Sequence, residues 1–196
     1  PIEQLTAPPQ APTEPVVAAH ANTPPQLCID TTDRTARMIG TLTHQTLQCL
    51  SDNGNLTLQP ADLARWEKRW QRQLKQHDCQ PANALETIKQ AVQRTLLCSK
   101  GQWILSNDHD FAASEYPVSH RQGNSVRQFV IDRIIIEGDT LWIIDFKTSQ
   151  PSENSDLQHF IQQEVNQYRP QLQQYQGAIR SLWPHHIRCL LYFPFL

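Results

Sequence analysis

The sequence predicts an α/β fold, a mixed sheet flanked by helices with an N-terminal helical region, on three observations. Apolar residues recur at helical spacing between residues 33 and 99; strand-like runs rich in Ile, Val, Trp and Phe surround a tight Gly-Asp turn; and a further helical pattern returns before a final apolar run. At 196 residues and 39% hydrophobic content, the chain is long enough for one sizeable core.

Composition narrows the function classes. No run of about 18 apolar residues and no signal-peptide pattern occurs, so no membrane partner is expected. Without an initiating Met the chain reads as a soluble, intracellular fragment of a longer protein. A net charge of -2 gives no global pull on nucleic acid, so a DNA contact has to come from local patches or a partner domain. The five cysteines, Cys28, Cys49, Cys79, Cys98 and Cys189, are odd in number, widely spaced and without a C-x-x-C pair. That argues against a disulfide framework or a zinc site and for a reducing compartment.

Residues 1–26 hold seven of the fourteen prolines and almost no large apolar residue, the composition of a linker; the folded domain is expected over 27–196. A first helix is expected from Asp33 to Asp52, closed by Asn53-Gly54. Met38, Ile39, Leu42, Leu47, Cys49 and Leu50 form its apolar arc, with His44 at the edge, a position that by itself suits an ordinary packed histidine better than a ligand. A second helix, 60–77, starts at Pro60 and carries Arg65, Lys68, Arg69, Arg72 and Lys75 beside Trp66 and Trp70. This is the densest basic patch in the chain, either a solvated face or a contact to DNA backbone. A third helix runs from Pro81 to Ser99 with Leu85, Ile88, Val92 and Leu96 as its stripe. Gly101 then marks a switch to strands, with residues 103–106 a short strand and 111–120 a first core strand containing Glu115, which on its own reads as a surface residue. His109, His120, His185 and His186 fit no motif and are expected at the surface.

The stretch from Phe129 to Ser149 sets three charges into an apolar hairpin. Gly138-Asp139 suits a two-residue type II′ turn. Pairing Glu137 with Thr140 puts Ile134 opposite Ile143 and Asp132 opposite Asp145, two carboxylates on one face about 5 Å apart, which repel unless a cation joins them. Lys147 falls on the face of Asp145. Val130, Ile134 and Ile136 on one side and Ile131 and Ile135 on the other predict strands covered on both faces, where charges need partners or a metal. After a polar loop, 150–156, come a weak helical segment, 157–165, a helix from Tyr168 to Trp183 with Leu172, Tyr175, Ile179 and Leu182 buried, and a strand over 187–196.

Asp132 followed by Asp145-Phe146-Lys147 resembles the PD-(D/E)XK nuclease motif in the form carried by the RecB family, with Ile131 in place of the motif's proline. The string GTLTHQTLQCL resembles that family's N-terminal helix, a Gly (Gly40) followed four residues later by a metal-binding His (His44). YRPQLQQYQGAI resembles its Q-x-x-x-Y motif, through Gln171 and Tyr175, although Tyr175 also fits an ordinary core position. The resemblance spans about residues 37–193 and implies a restriction-endonuclease-like fold.

It further implies a Mg²⁺- or Mn²⁺-dependent deoxyribonuclease, an exonuclease domain of a RecB/AddA-like helicase-nuclease acting on double-strand breaks in a bacterial cytoplasm. His44, Asp132, Asp145 and the backbone carbonyl of Phe146 would hold the ion. Lys147 would act toward the water or scissile phosphate, with Gln171 and Tyr175 orienting it. In many relatives a strand bearing a Glu precedes the hairpin, the position of Glu115, so the resemblance implies a site acid there or one just behind the ligands. The partners implied are DNA, a helicase domain upstream in the same chain and a second helicase-nuclease subunit. Relatives with an iron-sulfur cluster have three cysteines clustered near the C-terminus, where this chain has Cys189, so no cluster is expected. Two other readings stand beside this one, a catalytically silent DNA-binding scaffold and a stand-alone phage or restriction-type nuclease.

Overall fold

The computed structural model describes residues 31–54, 56–79, 83–122, 125–152 and 154–196; the Pro-rich stretch 1–26 and the predicted helix start at Pro81 lie outside them. The described elements are α1 (Thr31–Asp52), α2 (Pro60–Gln76), α3 (Ala84–Leu97), α4 (Ser99–Leu105), β1 (Phe111–Gln122), β2 (Ser125–Glu137), β3 (Thr140–Phe146), α5 (Leu157–Arg180) and β4 (His186–Tyr192). The sheet runs β1-β2-β3-β4, antiparallel except for the parallel β3–β4 pair. A mixed sheet flanked by helices, with helices leading the chain, is the expected fold.

Two apolar clusters sandwich the sheet. On one face Ile135 and Ile144 pack with Leu42, Leu47, Trp70, Ile88 and Ile104 of the N-terminal helices. On the other, Ile131, Ile134, Ile136, Leu141 and Ile143 pack with Tyr175, Ala178 and Ile179 of α5. The central strand residues are therefore covered on both sides, as their composition predicts, whereas Val130 is 47% exposed.

From Glu137 opposite Thr140 to Ile134 opposite Ile143 the hairpin register is the predicted one, but the pairing ends at Arg133 opposite Ile144, so the expected Asp132–Asp145 pair is not part of the ladder. Gly138 has φ +54 while Asp139 does not enter the left-handed region, the φ pattern of a type II′ turn. On β2 and β1, however, the alternation of faces steps. Phe129 and Ile131 lie on the α5 side, as do Ile134 and Ile136; Tyr116 and Val118 lie there too, as do Phe111 and Ala113. The step falls at Glu115, a non-glycine residue at φ +47, and at Asp132, while the β1–β2 register is the same on either side of it. Both strands change face together.

Five further expectations are corrected. Residues 103–106 form no strand: Gly101, Ile104 and Leu105 are buried at helical spacing in α4. Gly101 belongs to that helix because a Cβ there would lie 2.0 Å from the Thr95 carbonyl oxygen, so only glycine lets α4 close on α3. The two segments predicted at 157–165 and 168–183 are one helix running through Pro170, since Phe160 and Glu164 before it and Tyr175, Ala178 and Ile179 after it bury one continuous side, a tertiary gain that outweighs a missing N–H. Leu182 falls beyond this helix and is 57% exposed, and β4 ends at Tyr192, ahead of Pro194, which has no N–H to give a ladder. Finally, the side chain of His109 is 3% exposed, its Nε2 2.8 Å from the Trp103 carbonyl oxygen.

Arg133, an unremarked charge in the sequence, is buried at 2% exposure on the helical face. Its guanidinium donates to the carbonyls of Ile104 (3.1 Å) and Ser106 (2.6 Å), to Asn107 Oδ1 (2.9 Å) and to Ser114 Oγ (3.1 Å). It therefore satisfies carbonyls left open at the C-terminal end of α4 and ties that end to β1.

Candidate active site

The step at Glu115 and Asp132 turns both acids toward α1, where His44 meets them. Nε2 of His44 is 3.5 Å from Glu115 Oε1 and 3.8 Å from Asp132 Oδ2, and it is buried without a hydrogen-bond partner. One donor atom from each of the three residues falls within 4.8 Å of the others. Neighbouring ligands about 2.1 Å from an octahedral ion stand about 3 Å apart and opposite ones about 4.2 Å. An orphaned imidazole nitrogen facing two carboxylates at these separations fits Mg²⁺ or Mn²⁺.

The helix reaches the site through Gly40. A Cβ there would lie 2.5 Å from Thr148 Oγ1 and 3.1 Å from Thr148 Cβ, so α1 lies against the chain leaving β3 only because residue 40 has no side chain. One turn on, the ring of His44 packs on that of Phe146, centroids 5.5 Å apart. Gly40→Ala is expected to push α1 outward by a fraction of an ångström and lower metal-dependent activity roughly tenfold, with Thr148→Gly restoring it in the double variant. Unchanged activity in Gly40→Ala would show that helix placement is not limiting.

Beside this group lies a second one. Asp145, 2% exposed in its side chain, has Oδ2 2.5 Å from Lys147 Nζ, while its Oδ1 accepts from Gln171 Nε2 at 3.2 Å. Gln171 Nε2 also donates to the Tyr175 hydroxyl at 2.6 Å, and its Oε1 accepts from Lys147 Nζ at 3.5 Å. The two groups join at Phe146, whose N–H donates to Asp132 Oδ2 at 2.8 Å. An extended residue sends its N–H and C=O to the same strand edge, so the Phe146 carbonyl also leaves toward β2. Asp145 stands outside the His44, Glu115 and Asp132 group, held by Lys147 and Gln171.

Burial pushes the carboxyl of Asp132 above the ordinary carboxylate range, against the opposing pull of His44, the Phe146 N–H and Lys147. Asp145 is raised for the same reason, with Asp132 adding repulsion and the Lys147 hydrogen bond opposing it. The Tyr175 hydroxyl is raised chiefly by burial. Two acids made reluctant to ionise and a histidine nitrogen with nothing to bind are the arrangement a cation relieves.

Tyr168 was not a candidate from sequence. Its ring lies under Lys147, with Nζ 3.9 Å from the ring centroid, one turn before Gln171 on α5. The spacing of Tyr168, Gln171 and Tyr175 on one helical face is the signal that could have found it. The basic residues Arg65, Lys68, Arg69 and Arg72 are exposed on α2, which packs mainly on α1 and α3. Trp70 Nε1 donates to Thr46 Oγ1, two residues from His44 and so on the opposite side of α1. The fold does not bring this patch to the acids.

Comparison with known proteins adds a family. The model of the PD-(D/E)XK nuclease superfamily matches residues 18–194. No curated protein matches the chain. Among solved structures, the crystal structure of protein VC1899 from Vibrio cholerae is similar at 14% identity and a TM-score of 0.29, over 81% of this chain and 46% of that one. The chain thus spans less than half the length of that protein.

Proposed function

The chain belongs to the PD-(D/E)XK nuclease superfamily, and from that premise we propose that it is a Mg²⁺- or Mn²⁺-dependent DNA nuclease, an exonuclease domain of a RecB/AddA-like helicase-nuclease. In this reading residues 1–26 link the nuclease domain, 27–196, to an upstream helicase in a bacterial cytoplasmic enzyme that works with a second helicase-nuclease subunit. The finer assignment draws support from the order of Gly40 and His44, Asp132, Asp145 with Lys147, and Gln171 with Tyr175 along the chain.

The observation that carries the nuclease reading is the junction at Asp132, which faces the unpartnered Nε2 of His44 and receives the N–H of Phe146. His44, Glu115 and Asp132 would hold the ion, with Asp145 and the Phe146 carbonyl beside them. When bound, it supplies Lewis acidity toward the phosphodiester and lowers the pKa of water. Asp145 and Gln171 position the ammonium of Lys147, and the Tyr168 ring covers it from α5, so that it can meet the attacking water or the charge that develops on phosphate. Tyr175 fixes Gln171 in turn.

The test is cleavage of labelled single-stranded and duplex DNA by the purified chain with Mg²⁺ or Mn²⁺. Cutting that requires the ion and a DNA end is expected. A chain that binds DNA and never cuts it would favour a silent scaffold instead.

Metal binding should also register in stability. Because the folded state raises the carboxyls of Asp132 and Asp145, their cost to folding is absent below the ordinary carboxylate value of about 4 and grows as pH rises through their raised values. A bound cation offsets that cost, and protons compete with it. Added Mn²⁺ is therefore expected to raise the thermal midpoint more at about pH 8 than at about pH 5. Equal increments at both would show that Asp132 does not hold the ion.

A further inference from the structure

Residues 125–131 of β2 lie beyond the stretch that pairs with β3 and have β1 as their strand partner, so the two strands extend as an arm from the level of Glu115 and Asp132. Between this arm and α5 runs an open cleft of about 400 Å³ lined by His120, Arg127 and Phe129 on one side and Pro170, Gln173, Gln174 and Gly177 on the other. It adjoins the candidate active site, because Phe129 packs edge-on against Tyr175 with ring centroids 5.8 Å apart.

The charge of its walls is one-sided. In a chain with 19 acidic residues and a net charge of -2, residues 116–131 and 165–180 contain no Asp or Glu, and the cleft between them is lined by Arg127 and His120. Arg127 is exposed and paired across the arm with His120. A guanidinium, an imidazole and two glutamine amides offer donors to phosphate and sugar oxygens, and Phe129 offers a ring edge. The volume is that of a small-molecule pocket, sufficient for a nucleotide unit and too small for a duplex.

We propose that this cleft holds one strand of the DNA substrate next to the scissile phosphate, with Arg127 and His120 gripping its backbone from the arm. The proposal rests on the nuclease reading and adds to it the place and the strandedness of the contact. Two variants test it. Arg127→Glu reverses the charge at an exposed position. Gly177→Glu places a carboxylate in the cleft at a helical site where a Cβ meets nothing within 4 Å, so it should fold at least as well as the parent.

Binding of labelled single-stranded and duplex oligonucleotides is followed by anisotropy in chelator, and cleavage of both in Mn²⁺. Each variant is expected to bind the single strand roughly tenfold more weakly, with a shallower salt dependence, and the loss should appear in KM rather than kcat. Unchanged binding and KM in both variants, with a parent that cuts DNA, would overturn the cleft and leave the nuclease reading standing. Weakened binding with a parent that never cuts would support the cleft and overturn catalysis. A parent that neither binds nor cuts overturns both.

Discussion

Lys147→Ala is expected to lower DNA cleavage by about 10²–10³-fold while leaving Mn²⁺ binding nearly intact. The reason is a division of labour among neighbouring charges. The ammonium is 2.5 Å from Asp145 Oδ2 and repels a cation, so its favourable work has to be toward water or phosphate. Asp132→Ala should lose both ion and activity, because its carboxylate is the one that meets His44 and Phe146. Calorimetric titration with Mn²⁺, read beside cleavage rates for the parent and both variants, separates the roles. A Lys147→Ala protein that cuts at near the parent rate would show that the site is not a nuclease centre of this kind, whatever ion it holds.

Arg133→Met is expected to destabilise the fold by about 3 kcal/mol. Methionine matches the apolar stem but leaves the carbonyls of Ile104 and Ser106 buried without donors, and Ser114 loses its tie to β2. The midpoint of thermal unfolding should fall by roughly 10 °C. Arg133→Lys should recover only part of this, since a single ammonium cannot span acceptors arranged around a planar guanidinium. Burial already pushes the guanidinium of Arg133 below its ordinary pKa, the mark of a charge held by geometry and not by water. Parent-like stability in Arg133→Met would mean that the end of α4 finds its donors elsewhere.

The contrast between these two residues shows what could be read from the sequence. Lys147 stood out because a Gly-led turn at 138–139 sets the hairpin register, and period two then places it with Asp145. The amphipathic helices 31–52 and 60–76 were legible for a similar reason, each carrying a sustained stripe and a clear stop or start. Arg133 did not stand out, because a single charge in a strand looks the same whether it faces water or four acceptors. Residues 103–105 misled because three apolar residues satisfy both periods, and the contact that decides, Gly101 against Thr95, is tertiary. The role of Glu115 turns on a left-handed φ at a residue with no sequence signature for it. Pro170 suggested a break that the burial of Phe160, Glu164 and Tyr175 overrides.

The paired change of face at Glu115 and Asp132 makes the arm and the sheet separate modules. Because β1 and β2 step together, the acids keep their places whatever follows them toward the tip. Adding two residues to each strand of the arm would lengthen its reach and preserve which side chains face α5. Adding one to each would exchange the inner and outer faces, moving Arg121 and Val126 to the positions of their neighbours, without disturbing His44, Glu115 or Asp132. Length variation at this hairpin is thus a route by which substrate preference can diverge while the chemistry stays constant, and insertion libraries confined to 119–127 are the engineering equivalent.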